Sequence, residues 1–343
     1  MHAMPRSIAR LAALALIALS ARLLGAQATE TRAPAASPAA EVRTATEPAA
    51  AAQEAATEHA ASGGHDDNDI ITPHITDSHA IDVPSFTAPF VREVELPRWA
   101  PIHVGGVEFD LSPTKHVVML LLAALIVISL LVLTARTQAR HHDENGHTKG
   151  WAGGIEAMVL YIRNEVILPN VGPHGNAFVP FLLTLFFFIL TANMLGLIPY
   201  GSTATGNISV TATLAAITFV VVEIAGMRAQ GWGYLNTIFF WPRDMPLAMR
   251  IPMSLIISPI EMAGKIARPF ALAIRLFANM TAGHIVVLAF IGLIFYFHSI
   301  ASGAPFLMAI AIMFLELFVA LLQAFVFTLL ASVFIGQVRE AHH

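Results

Sequence analysis

Three features common in soluble proteins are missing or scarce in this sequence. Cysteine is absent from all 343 residues, which excludes disulfide bonds and thiolate metal sites but does not identify the compartment. Charged residues make up only 12% of the chain, about half their share in a typical soluble domain. No glycine-rich phosphate loop of the Walker type is present, so we expect no catalytic nucleotide site in this chain.

What the sequence does contain is apolar residues, at 56% of the total and a mean hydropathy of +0.67. Several segments could not be solvated by water, and this composition is typical of a polytopic membrane protein. The formal net charge of −4 is close to neutral, so it argues against a nucleic-acid partner.

Residues 1–28 are expected to be a secretory signal. Arg6 and Arg10 supply a basic start, residues 11–19 a short apolar core, and residues 26–28 a small-x-small cleavage site. The alternative is an uncleaved anchor, because a late arginine interrupts the apolar core. Either form places the following segment outside the cytoplasm.

Residues 29–112 are predicted to form an extracytoplasmic arm that is largely disordered. Up to about residue 80 the arm is rich in Ala, Thr, Glu and Pro and then in His and Asp, a composition that cannot build a core. Its histidines and aspartates could hold a stray metal ion, but we prefer a solvated linker and expect no metal or cofactor. Residues 83–112 contain prolines and runs in which apolar and other residues alternate. This pattern predicts a small ordered arm on the membrane surface.

Residues 113–343 are predicted to be an all-α membrane domain with about five membrane helices. Residues 153–168 carry apolar side chains at helical spacing, which predicts an amphipathic helix in the membrane interface. The predicted spans are residues 117–135, 178–198, 208–227, 252–297 and 305–337.

Basic residues indicate the orientation of these spans. Arg136 and Arg140 follow the first span closely, and the positive-inside rule assigns that side to the cytoplasm. The turns at residues 201–207 and 299–304 fall on the other side and contain neither Lys nor Arg. The tail, which carries Arg339, returns to the cytoplasm, so the arm is predicted to lie outside and the C-terminus inside.

The last two apolar stretches are too long for simple spans. Residues 252–297 contain no clear loop signal apart from Pro259, Pro269 and scattered glycines. A helix of that length would run roughly 70 Å, against a hydrocarbon thickness of about 30 Å. A hidden turn would make two spans of this stretch, but it would leave backbone groups unsatisfied in lipid and break the topology. We therefore predict two long, tilted helices in an antiparallel hairpin.

Arg275 is the central candidate in this hairpin. Arg275 and Glu316 are the only formally charged residues between Pro269 and Val338. A guanidinium stays protonated, and an ionised residue at membrane depth indicates function by default. With no carboxylate level with it, Arg275 needs an anionic partner from another chain. The alternative is a structural arginine paired only with Gln323.

The hairpin also predicts a register. Arg275 would lie level with Gln323, and His284 level with Glu316. Asn279 falls on the same side of the helical wheel as Arg275, whereas His284 lies about half a turn round. Glu and His can pass protons once their surroundings tune them; the two amides can only carry hydrogen-bonded water and orient the arginine.

Other charged residues precede the arginine on the cytoplasmic side. Glu261, Lys265 and Arg268 fall on the arginine side of the wheel, either as a titratable route that begins at Glu261 or as an interfacial ion-pair cluster. Glu223 lies near the cytoplasmic end of the third span, close to Arg228. We interpret Glu223 as an interfacial residue rather than a proton relay.

Several motifs, taken together, resemble subunit a of the F-type ATP synthases. The resemblance covers about residue 100 to the end of the chain. The matching runs are residues 111–115 (LSPTK), 180–184 (PFLLT), 193–199 (NMLGLIP), 272–284 (LAIRLFANMTAGH) and 322–327 (LQAFVF).

The resemblance implies a stationary subunit whose two long tilted helices wrap a rotating ring of c subunits. Arg275 occupies the position of the essential arginine, which faces the ring carboxylate between two offset aqueous half-channels. His284 and Glu316 match positions that hold a Glu and a His in either order. Asn279 and Gln323 match the polar positions beside the arginine.

The resemblance also places Glu261 at an acidic position on the cytoplasmic exit route. It implies a multi-pass protein of the bacterial inner membrane that contacts lipid, the c-ring, subunit b of the peripheral stalk and the rest of the complex. It implies a non-catalytic role in ATP synthesis and proton transport. The rivals are an ion-coupled secondary transporter with a midplane arginine and a non-transporting assembly scaffold.

Overall fold

The structure is a computed structural model, and it describes part of the chain. The described residues are 78–84, 91–99, 102–104, 107–109, 112–140, 150–173, 175–198, 203–234, 247–297 and 303–340. The predicted signal and the predicted linker up to residue 77 lie outside them.

Among the described residues, four short strands precede the first helix. Strand β1 (Ala80–Pro84) pairs antiparallel with β2 (Val91–Glu95), and β3 (Ile102–Val104) pairs antiparallel with β4 (Val107–Phe109). In the first hairpin Ile81 lies opposite Val94, as expected where apolar residues alternate along a strand. Within the described part of the arm, the short alternating runs thus form two hairpins.

Hydrogen bonds tie this strand region to the start of the first helix. The backbone N–H of Lys115 donates to the Ser78 carbonyl over 3.0 Å. The backbone N–H of Trp99 donates to the Ser112 hydroxyl, also over 3.0 Å. Because these bonds come from two separate parts of the arm, they fix the arm's described portion against the helix.

Seven α-helices follow, and five of them are long and apolar enough to cross a membrane among the described residues. This confirms the predicted all-α polytopic membrane fold. The short α2 continues through one π-helical stretch, Ile162–Ile167, into α3, and it occupies the place of the predicted amphipathic helix. The helices are α1 (Lys115–Arg140), α2 (Trp151–Tyr161), α3 (Leu168–Val171), α4 (Val179–Gly196), α5 (Ile208–Gln230), α6 (Leu247–Phe297) and α7 (Gly303–Glu340).

Helix α6 is continuous over 51 residues, with Pro252, Pro259 and Pro269 inside it. The hidden turn that would have made two spans does not exist. At 1.5 Å per residue the helix is about 75 Å long, which is about 2.5 times the hydrocarbon thickness of about 30 Å. Helix α7 runs antiparallel to α6 over 38 residues, and the two form the predicted long hairpin.

Helix α4 lies at the centre of the bundle. Half of its apolar window is buried inside the protein, against 11% of the window in α6. Phe186 and Phe187 are both buried there and meet edge to face, with ring centroids 5.2 Å apart. Helix α7 packs across α4, α5 and α6, and α1 covers another side of α4. The hairpin consequently presents its remaining faces outward.

The two ends of the bundle are distinct. At the end where α7 finishes, here called the C-terminal end, the Gln230 side chain donates to the Val338 carbonyl over 2.6 Å. Arg339 donates to the carbonyls of Val171 and Pro173 over 2.8 and 2.6 Å. The opposite end, here called the strand end, carries the four strands and the start of α5, where the Asn207 side chain accepts from the Ser209 N–H over 2.9 Å. An asparagine in this role is a common N-cap.

Candidate functional site

Arg275 lies in the second half of α6 on a face that the rest of the chain leaves open. Its side chain is exposed, and it makes no hydrogen bond or ion pair with any residue that the structure describes. Large apolar side chains are exposed on both hairpin helices, among them Phe270 and Phe318. A permanent positive charge therefore stands on an otherwise apolar surface, rather than buried within its own chain.

One turn further along α6, an amide pair joins the two helices of the hairpin. The Asn279 side-chain amide donates to Gln323 Oε1 over 3.0 Å. Gln323 is almost fully buried, and its own amide nitrogen finds no acceptor among the described residues. Gln323 Oε1 thus accepts from Asn279, and the structure shows no hydrogen bond between Gln323 and Arg275, so it does not support an arginine paired only with Gln323.

Another turn toward the strand end, Glu316 of α7 packs directly against Gly283 of α6. A Cβ atom at Gly283 would lie 2.8 Å from Glu316 Oε1, closer than real Cβ atoms come, so any larger residue there would force the carboxylate to move. Glu316 is 6% exposed, and its Oε1 has no hydrogen-bond partner within the described part of the chain. This carboxylate is held between two membrane helices.

His284 directly follows the glycine that contacts Glu316, and its side chain is half-buried. The predicted register, Arg275 with Gln323 and His284 with Glu316, therefore differs from the observed contacts by one turn or less along α6. Glu316 contacts Gly283, the residue next to the expected His284. Gln323 bonds to Asn279, one turn beyond the expected Arg275. The structure brings three candidates, Asn279, Glu316 and Gln323, to one interface, with His284 next to the glycine that contacts Glu316 and Arg275 beside the interface.

A buried asparagine in α4 holds α7 at the level of this interface. The Asn193 side-chain amide donates to the Ala320 carbonyl over 3.3 Å, and its oxygen accepts from the Thr205 hydroxyl over 2.8 Å. Asn193 and Thr205 are fully buried. Ala320 lies one turn before Gln323, so this network fixes the part of α7 that carries the amide and the carboxylate.

At the C-terminal end a second polar cluster joins α5 to α6. Lys265 Nζ donates to the Tyr234 hydroxyl over 3.1 Å and lies 4.2 Å from the centre of the same ring. Glu223 Oε1 is 4.0 Å from Lys265 Nζ and accepts a hydrogen bond from Tyr234. Glu223 thus faces a lysine on another helix, and its assignment as an interfacial residue stays a prediction.

The position of Tyr234 explains why the cluster is well defined. Its ring is buried against Gly226, where a Cβ atom would overlap the ring. Burial, reinforced by the hydrogen bond to Glu223, raises the pKa of the Tyr234 hydroxyl above its ordinary value. The hydroxyl therefore stays protonated and remains a donor to the carboxylate.

The remaining candidates of this region lie on the outside of α6. Glu261 is exposed and lies close enough to Lys265 to interact with it electrostatically. Arg268 is exposed as well; it donates to Gln337 Oε1 over 3.2 Å and stacks on Phe334. Lys265 and Arg268 therefore have different hydrogen-bond partners, although Lys265 interacts electrostatically with both Glu261 and Arg268; both predicted alternatives stay open.

Two parts of the site were not assigned a role from the sequence. Tyr234 carried no signal, because an aromatic residue after an apolar span is common. Asn193 did carry one, since a lone amide inside a run of apolar residues must find partners when buried. Among the described residues, no group of three or more His, Asp or Glu side chains is placed to hold a metal ion.

This chain is similar to known proteins over most of its length. The family described as ATP synthase A chain matches residues 117–336. ATP synthase subunit a 2 of Chlorobaculum tepidum is 44% identical over 282 residues, which are 81% of this chain and 74% of that protein. ATP synthase subunit a 2 of Chlorobium luteolum is 40% identical over 324 residues, 90% of this chain and 89% of that protein. ATP synthase subunit a of Anaeromyxobacter dehalogenans is 39% identical over 313 residues.

Proposed function

Since the chain belongs to the ATP synthase A chain family, as a multi-pass membrane subunit of the ATP synthase proton channel, we propose that Arg275 faces a carboxylate on a rotating ring of c subunits. Two half-channels, offset along α6, then bring protons to that ring and take them away. The catalytic nucleotide sites lie in other subunits. In this arrangement the strand end faces outside and the C-terminal end faces the cytoplasm.

The observation that carries this proposal is the exposed and unpartnered state of Arg275 within the described residues. An isolated charge at membrane depth costs at least a few kcal/mol, so a stable assembly must supply an anion. Gln323, the nearest alternative from the sequence, is bonded to Asn279 instead. A carboxylate on a neighbouring subunit satisfies both the charge and the apolar surface around it.

Proton uptake is assigned to the interface between Gly283 and Glu316. Glu316 and His284 are the titratable side chains there. Each can transfer a proton only to a group within hydrogen-bond reach, directly or through one water molecule. The proton neutralises the ring carboxylate. The neutral site then turns through lipid, which an ionised carboxylate could not enter without a large desolvation penalty.

Proton release occurs on the other side of Arg275. After nearly a full turn the ring site comes under the field of the guanidinium, which favours the ionised carboxylate, and the proton leaves toward Glu261 at the C-terminal end. Arg275 also separates the two half-channels, so protons do not cross without rotation. The driving force is about 2.3 kcal/mol per charge for each 100 mV of membrane potential.

A cross-linking experiment tests the placement of the ring. The chain has no cysteine, so a single Ala271→Cys substitution, one turn before Arg275 on an exposed position, can carry a photoactivatable maleimide in the assembled complex. We expect an adduct with a c subunit. The matched control is Leu125→Cys on α1, which is 62% exposed and should give no c adduct. An assembled complex in which position 271 never reaches a c subunit would remove the proposal.

A further inference from the structure

A small cavity lies at the C-terminal end of the bundle. It has a volume of about 20 Å³ and lies between α5, α6 and α7, where Thr218, Glu223, Lys265, Arg268, Leu272 and Phe334 are among its lining residues. A cavity of this size holds a water molecule when polar groups line it. Three charged side chains meet that condition.

The cavity leads from the C-terminal end toward Arg275. Its lining on α6 extends from Lys265 to Leu272, and Leu272 precedes Arg275 by three residues, or about 4.5 Å along the axis. On α5 the lining extends from Glu223 to Thr218. The residues that line the cavity therefore extend over about 10 Å of α6, and the cavity lies between Arg275 and the C-terminal end of the bundle.

Glu223 is the carboxylate that lines this cavity. Its side chain is 20% exposed, and Lys265 and Tyr234 hold it in place. Glu261 is exposed and is not among the lining residues. A proton that leaves through the cavity therefore meets Glu223 before it meets Glu261.

We propose that this cavity is the water compartment of the inward half-channel and that Glu223 is its proton-accepting carboxylate. The inference rests on the proposed function, since it names the release route of that channel. A proton released below Arg275 moves through water in the cavity to the Glu223 carboxylate, and from there to the solvent beside Glu261. The charged and titratable groups that face or adjoin the route are Glu223, Tyr234, Glu261, Lys265 and Arg268.

Thiol labelling tests the water compartment without any need for coupling. Thr218 and Thr211 are both buried on α5, and each hydroxyl donates to a carbonyl of its own helix; only Thr218 lines the cavity. In the assembled complex, a small membrane-impermeant thiol reagent added from the cytoplasmic side should label Thr218→Cys roughly tenfold faster than Thr211→Cys, because buried thiols out of reach of water are inert. Equal rates at the two positions would overturn the water compartment.

Proton pumping tests the carboxylate. In inverted membrane vesicles, Glu223→Gln should slow ATP-driven proton pumping per assembled complex. Loss of a sole proton-transfer group would cost ~100-fold, but because Glu261 lies nearby and can still accept protons, we expect a decrease of only about tenfold. Glu223→Asp should restore most of the rate. Glu261→Gln should have a smaller effect, and Glu165→Gln, at an exposed position far from the cavity, none. Unchanged pumping in Glu223→Gln, or a loss explained entirely by fewer assembled complexes, would overturn this role.

These outcomes are distinguishable from failure of the proposed function. If Arg275 does not face the ring, Ala271→Cys gives no c adduct, whatever the labelling rate of Thr218→Cys. If only the release route is wrong, the adduct forms and the labelling contrast disappears.

Discussion

Two glutamates in membrane helices, Glu316 on α7 and Glu223 on α5, have opposite surroundings. Glu316 is 6% exposed and packs against Gly283, and the described residues place no cation beside it. Glu223 is 20% exposed and has Lys265 at 4.0 Å and the Tyr234 hydroxyl as partners. The negative charge of an ionised Glu316 would thus have no cation beside it among the described residues, whereas that of Glu223 faces Lys265.

The difference indicates how one chain can serve both directions of transfer. An ionised carboxylate without a partner is costly inside a membrane protein, so Glu316 is suited to accept a proton and hand it on. Glu223 is partly exposed and has Lys265 and the Tyr234 hydroxyl beside it, so its carboxylate is held in one position from which a proton can pass on to water. Arg275 lies between the two, about 12 Å from Gly283 and about 15 Å from Lys265 along α6.

Removing Arg275 should produce the largest effect, because the two carboxylates would no longer be separated. Arg275→Ala should lower coupled ATP synthesis about 1000-fold, the upper range for loss of a positioned electrostatic group, and allow passive proton leak. Arg275→Lys should also lose most activity, since the charge persists but the planar fork is lost. Both are measured in membrane vesicles by ATP synthesis and by proton flux.

The control for this prediction is Arg136→Ala, which removes another exposed arginine from α1 and should leave coupling unchanged. Unimpaired ATP-driven proton pumping in Arg275→Ala would show that the two half-channels are separated by something else.

Glu316→Gln should have the next largest effect and tests the uncompensated side of the comparison. The amide keeps the shape of the side chain but cannot carry a proton, so we expect transport to fall about 100-fold, at the low end for a proton-transfer group. Assembly should be spared, because no hydrogen bond to Oε1 is lost among the described residues. Proton flux per complex is the measurement, with Glu165→Gln as the control. A normal rate would assign Glu316 to packing.

The spans and the hairpin could be predicted from the sequence because each follows from a local property. The first helix was expected from residue 117 to 135 and extends over Lys115–Arg140, since hydropathy marks the apolar part and not the helical flanks. The unbroken α6 followed from the absence of a loop signal and from the requirement that backbone groups in lipid be bonded. The amino-acid composition of each segment and the spacing of its residues were enough to predict these features.

The contacts between helices could not be predicted in the same way. Asn279 bonds Gln323 across 44 residues and Asn193 reaches Ala320 across 127, and crossing helices shift such partners by a turn from an ideal register. Glu223 was assigned to the neighbourhood of Arg228 because they are close in sequence. Its observed partner, Lys265, is on another helix, and a single sequence does not indicate which two helices meet.

Gly283→Ala should have the smallest effect of the three, and it tests whether the position of Glu316 matters apart from its chemistry. The added methyl group would lie 2.8 Å from Glu316 Oε1, so the flexible carboxylate must move off its preferred rotamer. A shift that costs about 1 kcal/mol corresponds to about a fivefold slower transfer. Gly292→Ala in the same helix is the matched control, because no atom lies within 4 Å of its Cβ position. If both variants pump protons at the normal rate, the close contact serves packing, and the carboxylate works equally well from a displaced position. If only Gly283→Ala is slowed, proton uptake depends on the position of Glu316 Oε1.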